Sequence, residues 1–198
     1  MTFRLEYPQG ATPLDPDEIT GLIPSHISTQ GELDEAEQAN ILKARHWALS
    51  QKKDILSDTF VRGLHKRMFI EVWRWAGQYR TTGKNLGVPA HQIPTSLREL
   101  CTSAEYWINH GTYNWDELAA RFHHRLVLIH AFANGNGRHA RLMTDILMRT
   151  HGQFALTWGA GRSSKEIGRD GDAREAYLAA LREADERRFE KLIEFIRS

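Results

Sequence analysis

The chain is expected to fold as an all-α bundle of about six to eight helices with one short β-hairpin near residues 80 to 93. Three observations carry that expectation. Apolar residues recur at helical spacing through most of the chain. Those segments are bounded by capping residues and glycines. Residues 78–94, with Gly83, Gly87 and Pro89, lack the helical period and fit a short hairpin. The chain has 198 residues, 41% hydrophobic and 26% charged. That composition fits one or two globular domains.

Residues 1–27 hold Pro8, Pro13, Pro16 and Pro24 and show little periodicity. They are expected as an extended arm with a short turn near Asp15–Thr20. A helix is expected over 34–51, with Ala36, Ile41, Ala44 and Ala48 inward. Thr29 and Glu32 form a capping-box pattern that would start it slightly earlier. The next helix is expected over 57–76, on Phe60, Leu64, Met68, Val72 and Trp75, with Gly77 as its stop. Trp47, Trp73 and Trp75 suit core or interface positions. After the hairpin, Pro94-Thr95-Ser96 opens a helix that Gly111 ends. Asn114 and Glu117 cap the helix that runs to His130. His123 and His124 on it lack partners at metal-ligand spacing and are expected to face solvent or to be hydrogen-bonded. A further helix covers about 137–150. Residues 153–165 form a loop with Gly159 and Gly161, which lacks the Lys-Ser/Thr of a phosphate-binding loop. A last helical region covers about 172–197. The chain divides into an arm and helix over 1–55 and a main domain over 56–198.

Net charge is +1, which argues against a direct nucleic-acid footprint or a membrane surface as partner. No apolar run approaches ~18 residues, so no membrane span is expected. The N-terminus lacks an apolar secretory core. The single cysteine, Cys101, suits a packed thiol in a reducing cytoplasm.

The stretch His130-Ala-Phe-Ala-Asn-Gly-Asn-Gly-Arg-His-Ala-Arg141 carries the chemistry. One periodicity runs up to it and another leaves it, so it joins two helices through a turn at Asn134–Gly137. A helix N-terminus presents N–H groups and the positive end of its dipole. A glycine-rich loop there lets a phosphate approach the backbone. Arg138 and Arg141 lie at i and i+3, and two guanidiniums beside such a loop suit a polyphosphate. His130 is the nearby side chain suited to act as a general base near neutral pH.

These residues closely resemble the signature of the Fic (filamentation induced by cAMP) family, His-x-Phe-x-(Asp/Glu)-Gly-Asn-Gly-Arg-x-x-Arg. The one departure is Asn134 where the family has an acid. Leu64-His65 with Trp75-Ala76-Gly77-Gln78-Tyr79-Arg80, and Arg174, Tyr177 and Leu181, also resemble family segments. The run Gln30–Gln38 and Asn134 look most like the subgroup called mobile mystery protein B.

The resemblance implies a Fic-type helical bundle whose hairpin flap lies over the active site. It also implies a protein adenylyltransferase that moves AMP from ATP to a Ser, Thr or Tyr hydroxyl of a target docked on the 80–93 flap. By motif position His130 would be the base, and Gly135, Asn136 and Gly137 the anion hole. Arg138 and Arg141 would hold the β- and γ-phosphates, with Tyr177 supporting the nucleotide pocket. The family's acid holds Mg²⁺; Asn134 supplies an amide oxygen but no charge. The alternative is a nucleotide-binding regulatory module, or a transferase of another phosphate-containing group, working with a DNA-binding partner protein. Ser28 and Glu32 match the family's inhibitory Ser/Thr-x-x-x-Glu-(Gly/Asn) pattern except at Leu33, and the resemblance would set Glu32 against Arg141. The competing reading makes Glu32 only the capping partner of Thr29. The oligomeric state stays open, a homo-oligomer included.

Overall fold

A computed structural model describes residues 13–50, 54–160 and 171–198. Residues 1–12 of the expected arm, the expected helix end at Gln51 and Gly161 lie outside the described residues. The described residues form α1 (Pro16–Ile19), α2 (Gln30–Ser50), α3 (Asp58–Phe69), α4 (Ile93–His110), α5 (Trp115–Ile129), α6 (Asn136–Thr150), α7 (Asp172–Asp185) and α8 (Glu190–Arg197). Extended pairing among them is confined to two isolated antiparallel bridges, Leu22 with Trp73 and Tyr79 with Phe132.

Helix α5 is the centre of the bundle because both of its faces are apolar. Leu118, Phe122, Leu126 and Ile129 join the cluster built with α2, α3, α4 and α6. Ala119 and Ala120 face a second cluster with Tyr177, Ala180, Leu192 and Phe195 of α7 and α8. Small residues on that side let the C-terminal helices approach closely. Asn114 caps α5 by accepting from the Glu117 N–H at 2.9 Å, and Gly111 ends α4 at φ 58°. Both follow the sequence signals. Cys101 is buried in α4, and burial pushes its thiol up to about 12, as expected of a packed rather than reactive thiol.

Helix α3 stops at Phe69, one to two turns short of the expected end. The arm competes for the backbone beyond it. The Ile23 N–H donates to the Val72 carbonyl at 2.9 Å and the Arg74 N–H to the Gly21 carbonyl at 2.9 Å. Val72 and Trp73 are buried by this exchange. Each costs only ~0.5 kcal/mol in helix propensity relative to Ala. Full burial of one large apolar side chain is worth roughly 1.5–3 kcal/mol, so packing decides the chain path. The C-terminal helical region is likewise two helices, because Arg187 adopts φ 64° and turns Phe189 into the second cluster.

The expected hairpin over 80–93 is absent. A loop and a short 3-10 turn, Ala90–Gln92, take its place. The Arg80 side chain bonds the carbonyls of Thr82 and Val88, which a strand ladder would need as acceptors.

Glu32 does not meet Arg141. It is exposed, and one carboxylate oxygen accepts from the Ser28 N–H at 2.8 Å, the Ser28 hydroxyl at 3.1 Å and the Thr29 N–H at 2.9 Å. The Glu32 N–H returns a bond to the Thr29 hydroxyl at 3.3 Å. This is a capping box, and it starts α2 at Gln30 rather than at residue 34. Within this chain Ser28 and Glu32 are engaged in the cap of α2 rather than with Arg141. The backbone N–H bonds hold the Glu32 carboxyl down at about 2. A carboxyl depressed on folding stabilises above its unfolded value and loses that contribution as pH falls toward its folded value. The melting-temperature difference between wild type and Glu32→Ala should therefore be constant above about pH 5 and shrink steadily to about pH 2. A difference independent of pH over that range would rule out a charge-based cap.

Candidate active site

Helix α5 ends at His130, which takes the left-handed conformation at φ 50°, ψ 58°. Gly135, at φ 76°, ends the loop and caps α6. Between them the chain is stapled. The Asn136 side chain accepts from the Phe132 N–H at 2.9 Å and donates to the Phe132 carbonyl at 2.8 Å. Asn136 is thus a loop brace, and only its backbone N–H is left for an anion.

The Phe132 ring stacks on His65 with centroids 3.7 Å apart. His65 Nδ1 accepts from the Gly77 N–H at 3.0 Å, so its proton sits on Nε2 and donates to the Asn134 carbonyl at 3.1 Å. Burial holds this imidazole neutral, well below its ordinary pKa. Gly135 rests on Phe69, and a Cβ there would lie 2.6 Å from the ring. The N–H groups of Asn136, Gly137 and Arg138 then open α6, where helix geometry gives them no acceptor in their own helix. Gly135, Asn136 and Gly137 therefore come together in a braced loop at the start of α6, a geometry that suits an anion.

The two arginines diverge. Arg138 donates to Glu37 of α2 at 2.5 Å and lies over the Phe69 ring at 5.0 Å. Glu37 is buried and also accepts from the Trp73 indole at 2.6 Å. Arg141 turns the other way, 5.7 Å from the Tyr177 ring centroid and hydrogen-bonded to its hydroxyl. Burial lowers the Arg141 pKa from its ordinary value. The Tyr177 hydroxyl is also 2.9 Å from His123 Nε2. His123 and His124 are hydrogen-bonded, as one of the expected readings had it, but they are buried rather than solvent-facing. His124 pairs with Asp185 at 2.8 Å.

His130 is 7% exposed. Burial, then the positive charges of Arg80 and Lys84, hold its imidazole down to about 4. It is unprotonated at neutral pH, the state a proton acceptor needs. Both cations belong to the segment over the loop. Arg80 donates to the carbonyls of His130 at 2.6 Å, Thr82 at 2.9 Å and Val88. Lys84 is clamped by Asp15 at 2.8 Å and Glu18 at 2.6 Å, which ties the arm to that segment.

A resident Mg²⁺ does not fit the donors present. The Asn134 amide carries no charge, and its oxygen accepts from the Gly135 N–H at 2.6 Å. Among the described residues no group of three His, Cys, Asp or Glu converges on a metal site.

Glu37 and Arg80 escaped the sequence reading. Nothing in local spacing distinguishes Glu37 from the other acids of α2. Arg80 follows Trp75-Ala76-Gly77 closely, but only the fold brings it to His130, 50 positions away.

Gly135→Ala should destabilise the protein by about 1–2 kcal/mol from its left-handed backbone alone, with the Phe69 contact adding to this. In a Phe69→Leu background the extra cost of Gly135→Ala should fall. Denaturant unfolding of the four proteins in this cycle measures the coupling, and additivity would show that Phe69 does not set the loop.

Residues 55–148 match the model of the Fic/DOC family. The protein adenylyltransferase fic-1 of Caenorhabditis elegans is 33% identical over 112 residues, spanning 52% of this chain and 21% of that relative. The chain thus spans about a fifth of the length of this curated relative. The N-terminal Fic domain of a Bep effector protein from Bartonella quintana superposes with a TM-score of 0.70 at 17% identity, covering 91% of both chains. The BepC protein of Bartonella tribocorum, solved with bound AMPPNP, superposes at 0.67 with 17% identity, over 92% of this chain and 97% of that one. These likenesses extend the all-helical fold match to nearly the whole chain, and the family match falls on the helices that build the His130–Arg141 loop. Over residues 55–148 the chain is similar to the Fic/DOC family, and the superposed structures share its helical fold.

Proposed function

We propose that the chain is a Fic-type protein adenylyltransferase that transfers AMP from ATP to a Ser, Thr or Tyr hydroxyl of a target protein. The observation that carries this reading is a neutral, buried His130 joined by one braced loop to an anion cradle with two arginines beyond it. The relatives named protein adenylyltransferase and the AMPPNP bound by the Bartonella protein support it. The target hydroxyl oxygen attacks the α-phosphorus of ATP. The bond from that phosphorus to the bridging oxygen breaks, pyrophosphate leaves, and His130 accepts the hydroxyl proton. The α6 N–H groups stabilise charge on the phosphoryl oxygens. Arg138 and Arg141 hold the leaving pyrophosphate. An approaching triphosphate offsets the charges of Arg80 and Lys84 and raises the basicity of His130 when it is needed. The target docks along residues 80–93, on a braced loop rather than a hairpin, in a reducing cytoplasm. Within the family we place the chain in the mobile mystery protein B subgroup, on the Gln30–Gln38 run and Asn134.

A second reading is favoured by the Asn134 oxygen turned onto Gly135. It makes the chain a nucleotide-binding regulatory module, or a transferase of another phosphate-containing group, acting beside a DNA-binding partner protein. That reading predicts ATP binding without labelling by α-³²P-ATP.

His130→Ala should cut labelling by ~10²–10⁴-fold while leaving ATP affinity nearly unchanged. For wild type the acid limb of kcat/KM, which reports the free protein, should fall near pH 4 rather than near an unperturbed histidine's ~6.5. Labelling by His130→Ala at the wild-type rate would remove His130 as the base.

In the resting chain Glu37 occupies an Arg138 donor that a phosphate would use. We infer that inhibition by α2 acts through Glu37 and Arg138. Glu37→Gln keeps an acceptor for Trp73 but removes the ion pair. It should tighten ATP binding on the order of tenfold, the scale of one hydrogen bond to a charged group. Calorimetry showing equal affinities would place the inhibitory contact elsewhere.

A further inference from the structure

Arg80 is 4% exposed, and the bonds that hold its guanidinium run to three backbone carbonyls, those of His130, Thr82 and Val88. A buried charge is costly to keep, and most are held by an opposite charge. Here carbonyl dipoles take that place. The acid that acts on Arg80 electrostatically is Glu18, whose carboxylate is spent on Lys84. The positive charge of Arg80 is therefore only weakly offset where it faces the loop.

Two geometric features show what this charge does. The His130 carbonyl lies at the C-terminus of α5, where the helix dipole is negative, and a cation placed there steadies the turn out of the helix. The His130 peptide is gripped on both sides, since the Arg80 N–H also donates to the Ala131 carbonyl at 3.0 Å. Gly87, at φ 104°, is pressed into the same place. A Cβ on it would lie 2.6 Å from Arg80 Nη2 and 2.7 Å from His130 Cβ. Arg80, the backbone of Gly87 and the His130 side chain are therefore layered with no room for another atom.

We propose that Arg80 is a positioning residue for His130: its three-carbonyl grip fixes the left-handed turn that aims the imidazole and clamps the 82–88 loop over it. This rests on the reading of His130 as the base. The charged groups acting on His130 are Arg80 and Lys84, both cationic, and they act in the same direction as burial, the largest influence on the ring. Arg80 thus sets the orientation of the ring and also helps keep it unprotonated. A lysine can supply the charge but cannot hold three carbonyls in one plane.

The test is a histidine NMR titration of ¹³C-labelled full-length protein, with the His130 signal identified by its loss in His130→Ala. In wild type His130 should titrate near 4. In Arg80→Met its pKa should rise by roughly one unit. In Arg80→Lys it should stay low while kcat for labelling falls roughly tenfold or more and KM for ATP holds, as expected when a reacting group is misaimed. A folded Arg80→Met protein with an unshifted His130 titration overturns the proposal. If Arg80→Met does not fold, Arg80→Lys decides alone, and a wild-type kcat there overturns it. Failure of the base reading is seen separately. His130→Ala would then label at the wild-type rate while the titration shift in Arg80→Met persisted.

Discussion

The site depends on one constraint, the reversal of the chain between α5 and α6 within six residues, 130–135. Two left-handed residues, His130 and Gly135, make that reversal. For Gly135 the conformation costs nothing, because it has no side chain. For His130 it is held from outside, by Arg80 on its carbonyl and by the Leu126 carbonyl accepting its N–H at 3.3 Å. Between them the Asn136 amide closes a ring on the Phe132 backbone, so the loop is braced before any ligand arrives. Preorganised donors of this kind need not reorganise when charge develops.

The second organising element is what lies beneath the loop. Phe69, His65, Phe132 and His139 form a packed aromatic floor, with His65–Phe132 centroids 3.7 Å apart and Phe132–His139 centroids 5.1 Å apart. Two of these rings are imidazoles, and burial holds both neutral. Each still satisfies a backbone carbonyl, His65 that of Asn134 and His139 that of Val61 at 3.0 Å. A phenyl ring could fill the same space but would forfeit both hydrogen bonds. Floor and loop are thus joined by hydrogen bonds as well as by packing.

Electrostatically the site is asymmetric. Arg80, Lys84, Arg138 and Arg141 surround the loop. The acids near them hold specific cations, Asp15 and Glu18 on Lys84 and Glu37 on Arg138. The two clamps tie different parts of the N-terminal region to the surroundings of the His130–Gly135 loop. The arm reaches the segment above His130, and α2 reaches the first signature arginine. Asp15, Glu18 and Glu37 thus pack against the cations around the loop, although the family match starts only at residue 55.

The sequence by itself determined the helical fold class, the α5 and α6 boundaries to within a residue, and the turn between them that carries the signature residues. Those features are local. Asn114 caps α5 from one position away, Gly135 is demanded by its own backbone angle, and the signature residues are contiguous. What tertiary structure alone decided are contacts between residues far apart in the chain. The arm took the backbone at Val72 and Arg74 and ended α3 early. Arg80 drew in the carbonyls that a hairpin would have used. Glu32, the acid with the right local pattern, was spent on its own helix start, where nearby N–H groups lie within immediate reach. Glu37, with no pattern to mark it, met Arg138 because burial beside Trp73 places it there. A spacing rule reports which groups can meet within a few residues, whereas the partner of a buried charge is set by which helices pack together.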